Sequence, residues 1–321
     1  MLLATVVGLI VAIWTFGATG FADIVAVARR LGLGGFLLFC AWSLGTFLLL
    51  GAAWLAAAPG ERTERIGRFT WARMLREAVS DLLPFSQLGG IVVAARSLSV
   101  AGIPTSRVYG SLVVDLTTEM AAQLVYTLFG LALIASLLIG DGAAASLRPA
   151  ILGGTAIMVV IILFFFVAQR SALDLTGRIG ERFVPGSQVA FSDIRAELAR
   201  IYLRRDRVAI AFGFNLAAWV ASAVGGWLAL HLMGVAISLW DVLSLESLIF
   251  TLRSVAFFIP GALGVQEVAY ALAAPLFGLP PESALALSLA KRARDVVIGL
   301  PTLLCWQFAE ARHIAAGAGG R

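Results

Sequence analysis

Residues 33–57, LGGFLLFCAWSLGTFLLLGAAWLAA, run for 25 positions without a charged side chain. A helix that crosses a bilayer needs about 20 such residues. Further predominantly apolar runs, some of them carrying charges, recur at about 2–18, 106–139, 150–168, 208–233, 240–258 and 281–308. Composition agrees: 60% of the residues are hydrophobic and 13% are charged, with a mean hydropathy of +0.94, against about one quarter charged in a soluble domain. The chain therefore reads as an all-α polytopic integral membrane protein, one transmembrane domain over 1–321 with about seven or eight helical spans. No polar segment approaches the roughly 100 residues of a soluble catalytic domain. The opening MLLATVVGLIVAIWTF lacks a basic leader and has only a weak cleavage site, so it reads as the first membrane helix.

The charges then set the topology. The chain has 24 Lys+Arg against 19 Asp+Glu. Thirteen arginines fall in two connections, 59–77 and 169–207, which the positive-inside rule makes cytoplasmic. Both termini are expected on that side, in a bacterial inner membrane, while Arg29 and Arg30 fall on the other. Such clustering points to membrane topology rather than to nucleic acid. Cys40 and Cys305 lie inside apolar runs and His231 and His313 are isolated, so no disulfide, metal or cofactor is expected. The nucleophile, base and oxyanion donors of an active site do not assemble either, and an enzyme is not expected.

Two apolar stretches break. DLLPFSQLGGIVVAARSLSVAGIP (81–104) and FFIPGALGVQEVAYALAAPLFGLP (257–280) superpose without a gap at an offset of 176, with Pro84 on Pro260, Gly102 on Gly278 and Pro104 on Pro280. Each leads through G-x-P into a long helix, giving repeat 1 at about 71–139 and repeat 2 at about 247–308. An odd number of crossings between equivalent points inverts the second copy. The breaks then become tips of two re-entrant hairpins, a plan of secondary transporters, whose irregular backbone must be buried or line a polar cavity. Pro84, Ser86, Gln87, Gly89 and Gly90 form one expected tip, and Pro260, Gly261 and Gly264 the other. The plainer reading is one kinked span at each break.

The long helices carry charge at membrane depth, where each unpaired ion costs at least about 2.5–3.5 kcal/mol. Asp115, Glu119 and Gln123 line one face of the first. Lys291, the only lysine, lies with Arg292, Arg294 and Asp295 on the second, and Lys291 and Asp295 form an i,i+4 pair. Two readings stay open. One is a structural network joining Asp115 or Glu119 to Lys291 or Arg292. The other is a polar cavity in which Lys291, Arg292 and Arg294 receive an anionic lipid head group, arginine supplying forked donors to phosphate, while Asp115, Glu119, Asp295, Glu267 and Arg253 balance charge and gate access. Glu267, just past the second break, has the hairpin's free backbone donors or an arginine, Arg253 or Arg292, as expected partners.

FFIPGALGVQE (257–267) resembles the P-G-[GA]-L-G-x-x-E signature of the transmembrane region of lysylphosphatidylglycerol synthases and related flippase-like proteins. With LLPFSQLGG (82–90), RSVAFFIPGALGVQE (253–267) and ALSLAKRARDVVIGLP (286–301), the chain is most similar to the hopanoid-biosynthesis-associated branch. It departs in lacking the synthases' soluble aminoacyl-transfer domain and in having Ala262 as the second residue of the glycine pair. The resemblance implies a bacterial inner-membrane protein that moves or presents a polar lipid, one connected with hopanoids. The alternative is a non-catalytic subunit that docks a lipid-modifying or glycosyl-transferring enzyme through arginines at 195, 200, 204, 205 and 207. An ion channel lacks its ring of repeated ligands.

Overall fold

The computed structural model describes residues 2–83, 86–138, 187–255 and 259–318, with Gly153, Ala156 and Val160 as single positions. The expected span at 150–168, apart from those single positions, and residues 169–186 of the 169–207 connection lie outside these residues. All regular structure among the described residues is helical: α1 Leu2–Thr19, α2 Phe21–Arg30, α3 Gly32–Ala56, α4 Ile66–Leu82, α5 Ser86–Val100, α6 Thr105–Leu138, α7 Ser187–Leu203, α8 Arg205–Leu232, α9 Leu239–Val255, α10 Val265–Ala273 and α11 Pro281–Ala318, with short 3₁₀ turns between.

Among the described residues, α3, α6 and α8 are long and apolar enough to cross a membrane, and α1 with α2, bent by 86°, makes a fourth if the pair is one span. The other expected crossings fall on helices that are short or charged. Helices α4 and α9 have 17 residues each and α5 has 15, about 22–26 Å at 1.5 Å per residue, against a hydrocarbon core of about 30 Å. The 59–77 stretch, read from its arginines as a connection, is largely α4. Its buried Phe69, Ala72, Leu75, Ala78 and Val79 make one apolar face that a count of charges passes over.

Polarity is distributed as a lipid solvent demands. Trp14, Leu33, Leu272 and Phe308 are about 70% exposed, whereas Arg73, Asp115, Asn215 and Glu246 are fully buried. In water this arrangement would forfeit the hydrophobic effect; in a bilayer it is the expected sorting. The protein is a membrane protein.

The two broken segments fold alike. Ile103 N–H donates to the Leu98 carbonyl at 3.2 Å, and Leu279 N–H, 176 residues on, to the Ala274 carbonyl at 3.1 Å. Gly102 and Gly278 take the left-handed backbone of these helix stops, φ 81° and 66°. Pro104 and Pro280 then prevent continuation, and α6 and α11 begin at equivalent positions, 105 and 281. The packing is crossed. Helix α4 lies on α11 of the other segment, and α9 lies on α6. Helices α4 and α5 also pack on each other as a hairpin, as do α9 and α10.

Gly89 and Gly90, read as part of a tip, sit inside α5 instead. Gly90 serves the hairpin through its missing side chain: a Cβ there would stand 2.3 Å from the Arg76 carbonyl oxygen on α4. Pro84 lies outside the described residues. Ser86 and Gln87 open α5, and the break falls before them.

Candidate functional site

Three groups of polar side chains occupy the interior. The first joins α4, α6 and α8. Arg73 and Arg76, one helical turn apart on α4, face Asp115 and Glu119, one turn apart on α6. Arg73 Nη1 donates to Asp115 Oδ2 at 3.1 Å and its Nη2 to Glu119 Oε1 at 2.8 Å, while Arg76 Nη1 donates to Glu119 Oε2 at 2.9 Å. Asn215 of α8 reaches Thr118 at 3.1 Å beside them. Two guanidiniums thus satisfy two carboxylates, Arg73 as a fork through both Nη atoms and Arg76 through Nη1.

The second group closes the other hairpin. Lys291 Nζ on α11 donates to Glu246 Oε2 on α9 at 2.5 Å and to the Tyr270 hydroxyl on α10 at 2.8 Å, and that hydroxyl donates to Glu246 Oε1 at 2.6 Å. The ammonium also lies 5.4 Å from the Phe250 ring centre, a cation–π distance.

The third group lies where the two chain breaks meet. The turn Pro260–Ala262 packs against the end of α4, and a Cβ on Gly261 would stand 3.1 Å from the Asp81 carbonyl oxygen. Gly261, at φ 56°, has the left-handed backbone that this close approach needs. Glu267 fixes the tip from inside. It accepts from Gly264 N–H at 2.8 Å, from Ser288 at 3.2 Å and from Arg292 Nε at 3.1 Å, and Arg292 Nη1 donates to the Gly261 carbonyl at 2.6 Å. Around this tip Arg253 Nη2 contacts Asp81 Oδ1 at 3.4 Å, and Arg294 Nη2 holds Asp295 Oδ1 at 2.6 Å. Asp81 also lies within electrostatic range of Arg292, which favours its charge, and of Asp295 and Glu77, which oppose it. This group is partly open, with the Arg253 side chain 24% exposed and Arg294 18%, against 4% and 0% for Lys291 and Glu246; in the first group Glu119 is 14% exposed. Among the described residues Arg292 Nη2 has no hydrogen-bond partner.

These pairings differ from those expected between repeats. Asp115 and Glu119 do not meet Lys291 or Arg292, because α4 brings Arg73 and Arg76 against them first. Lys291 and Asp295 do not pair, since Glu246 on the facing helix and the adjacent Arg294 are better placed. Arg292 is the arginine on Glu267, and Arg253 goes to Asp81. The sequence reading missed Arg73, Arg76, Asp81, Glu246 and Tyr270 as partners. The signal was present for the arginines, whose spacing of three puts them on one face of α4 with Glu77. Nothing in the spacing of Glu246 or Tyr270 marks them.

Beside the second tip is a cavity of about 550 Å³ between α1, α6, α9 and α10, lined by apolar side chains such as Val11, Leu131, Leu252 and Leu272. Its two hydroxyls, Thr127 and Thr251, hydrogen-bond each other at 2.9 Å. Gly8 and Gly264 let α1 touch the tip, for a Cβ on either would come within 2.5 Å of backbone oxygen across the contact. Among the described residues no group of three or more His, Cys, Asp or Glu is placed to hold a metal.

A family model, the lysylphosphatidylglycerol synthase transmembrane region, matches residues 1–301. The chain belongs to that family. Membership makes it a membrane protein of lipid-related function. No curated protein and no solved structure matches it.

Proposed function

We propose that this family member is a flippase-like transporter, which moves or presents a polar or anionic lipid across a bacterial inner membrane and performs no chemistry of its own. The observation that carries the reading is the partly open charged group at the meeting point of the two breaks. Arginines Arg253, Arg292 and Arg294 surround it inside an apolar exterior, and intramembrane charges that remain accessible mark a substrate path. A lipid phosphate has the acceptors for their donors, and the apolar cavity beside the tip suits part of its hydrocarbon body.

In this reading Glu267, Asp81 and Asp295 release their arginines to the head group and recapture them afterwards. Lys291, with Asp115 and Glu119, holds helices together rather than touching cargo. The crossed packing of the two segments supports an inverted repeat with re-entrant hairpins, whose near-equivalent halves give two states of similar energy. Cytoplasmic termini and a hopanoid-connected cargo follow from the arginine distribution and from the sequence resemblance, and lipid-biosynthesis enzymes are the natural neighbours.

The test is quantitative mass spectrometry of lipids co-purifying with wild-type protein and with Arg253→Gln/Arg294→Gln. We expect one lipid class enriched over bulk membrane in the wild type and lost in the variant. Bulk lipid in both samples, from folded protein, refutes the charged centre as a cargo site.

A further inference from the structure

Helices α4 and α11 run antiparallel along one seam. Trp71 and Trp306 line the same cleft at one end, a Cβ on Gly299 would stand 3.3 Å from Ala78 Cβ further along, and Asp81 comes within electrostatic range of Asp295 at the charged centre. From Trp71 to Asp81 is ten residues, about 15 Å along a helix at 1.5 Å each. That is half of the roughly 30 Å hydrocarbon core. With the charged centre at mid-membrane, the cleft therefore lies at the level where hydrocarbon gives way to head groups.

The cleft has the chemistry of that level. Its volume is about 330 Å³, and it is closed from the side by Ser97 and Val100 of α5 and by Ala101 in the turn that follows. Two half-buried tryptophans form its apolar walls, as at membrane–water interfaces generally. Arg68 stands exposed at its rim and donates one bond, 2.9 Å to the Ala101 carbonyl. Among the described residues no carboxylate pairs with Arg68, so further guanidinium donors are free. The acid in the cleft, Glu310, is taken by Arg96, whose Nε donates to it at 2.8 Å. The cleft thus presents net positive charge above an apolar floor.

We infer that this cleft is a binding site for the phosphate of an anionic glycerophospholipid, separate from the charged centre and about half a membrane away from it. Arg68 holds the phosphate, Trp71 and Trp306 flank the glycerol region, and the acyl chains run out between α5 and α11 into the bilayer. Basic pockets between membrane helices bind anionic head groups in this manner. The tight crossing at Gly299 closes the seam between cleft and centre, so the two sites fill independently. The inference goes beyond the transport reading and shares with it the placement of the charged centre at mid-membrane.

The experiment is native mass spectrometry of the purified full chain titrated with phosphatidic acid and, separately, phosphatidylcholine. Arg68→Gln is compared with Arg62→Gln, which removes an equal charge from an arginine 81% exposed and paired with Glu64 outside the cleft. The wild type and Arg62→Gln should retain one phosphatidic acid in preference to phosphatidylcholine, and Arg68→Gln should bind it about tenfold more weakly. Equal weakening in both variants shows a diffuse surface charge effect and overturns the site. So does undiminished binding in Arg68→Gln. Both residues lie on the surface, where substitutions leave folding nearly unchanged.

Discussion

Lys291 and Glu246 are buried together, their side chains 4% and 0% exposed. Replacing Lys291 by Met leaves Glu246 with the Tyr270 hydroxyl as its remaining bonded donor, and removing one partner of a buried ion pair costs about 3–5 kcal/mol. Replacing Glu246 by Gln strands the ammonium at a similar cost. The double variant, Lys291→Met/Glu246→Gln, removes both charges. It keeps an acceptor for Tyr270 and leaves one amide donor short of a partner, a loss of about 1–3 kcal/mol. The singles then sum to about 6–10 kcal/mol and the double to far less, a coupling of at least about 3 kcal/mol. Equilibrium unfolding in mixed micelles measures all four proteins. Additive singles would refute the pair as a closed structural unit. They would return Lys291 to the role first read from the sequence, a free cation awaiting a lipid head group.

Two further outcomes follow from the second tip. Ala262 is held at φ 47°, which costs a residue with a Cβ about 1–2 kcal/mol. Glycine regains that and gives back about 0.4–1 kcal/mol through unfolded-state freedom, so Ala262→Gly should raise the unfolding midpoint by an equivalent of about 0.5–1 kcal/mol; a fall refutes the assigned backbone. Gly8→Val should lower thermal stability by about 1–3 kcal/mol through overpacking, because its Cβ meets the Leu263 carbonyl oxygen at 2.5 Å. Gly17→Ala, with nothing within 4 Å, is the control, and equal effects at both positions refute the α1–tip contact.

Helices and their stops were legible because local chemistry writes them. The charge-free run at 33–57 is α3, the two G-x-P turns stop α5 and the 3₁₀ turn at Ala274–Phe277, and α6 and α11 start one residue past the prolines. Glu267 drew attention because a carboxylate beside a Pro-Gly break has few uses in an apolar setting. The partners of the charges were less legible, for they depend on which helices cross. Arg73 and Arg76 carry a loop-like arginine density that hides a buried face. Glu246 meets Lys291 only because α9 and α11 close on the same tyrosine. Gly90 looked like turn material, yet close helix contact needs the same missing side chain.

The crossed packing also bears on how the chain is made. About 220 residues separate Ala78 from Gly299, which it finally touches, and at roughly 5–20 residues per second the ribosome takes about 10–45 s to supply them. During that wait α4 has no α11 to lie against. Its two deepest arginines already have Asp115 and Glu119, synthesised within seconds of them, and Glu246 likewise has Lys291 from its own half. Each half can thus neutralise its most costly charges as it leaves the translocon. The looser pairs, such as Asp81 with Arg253, form last, when the halves dock.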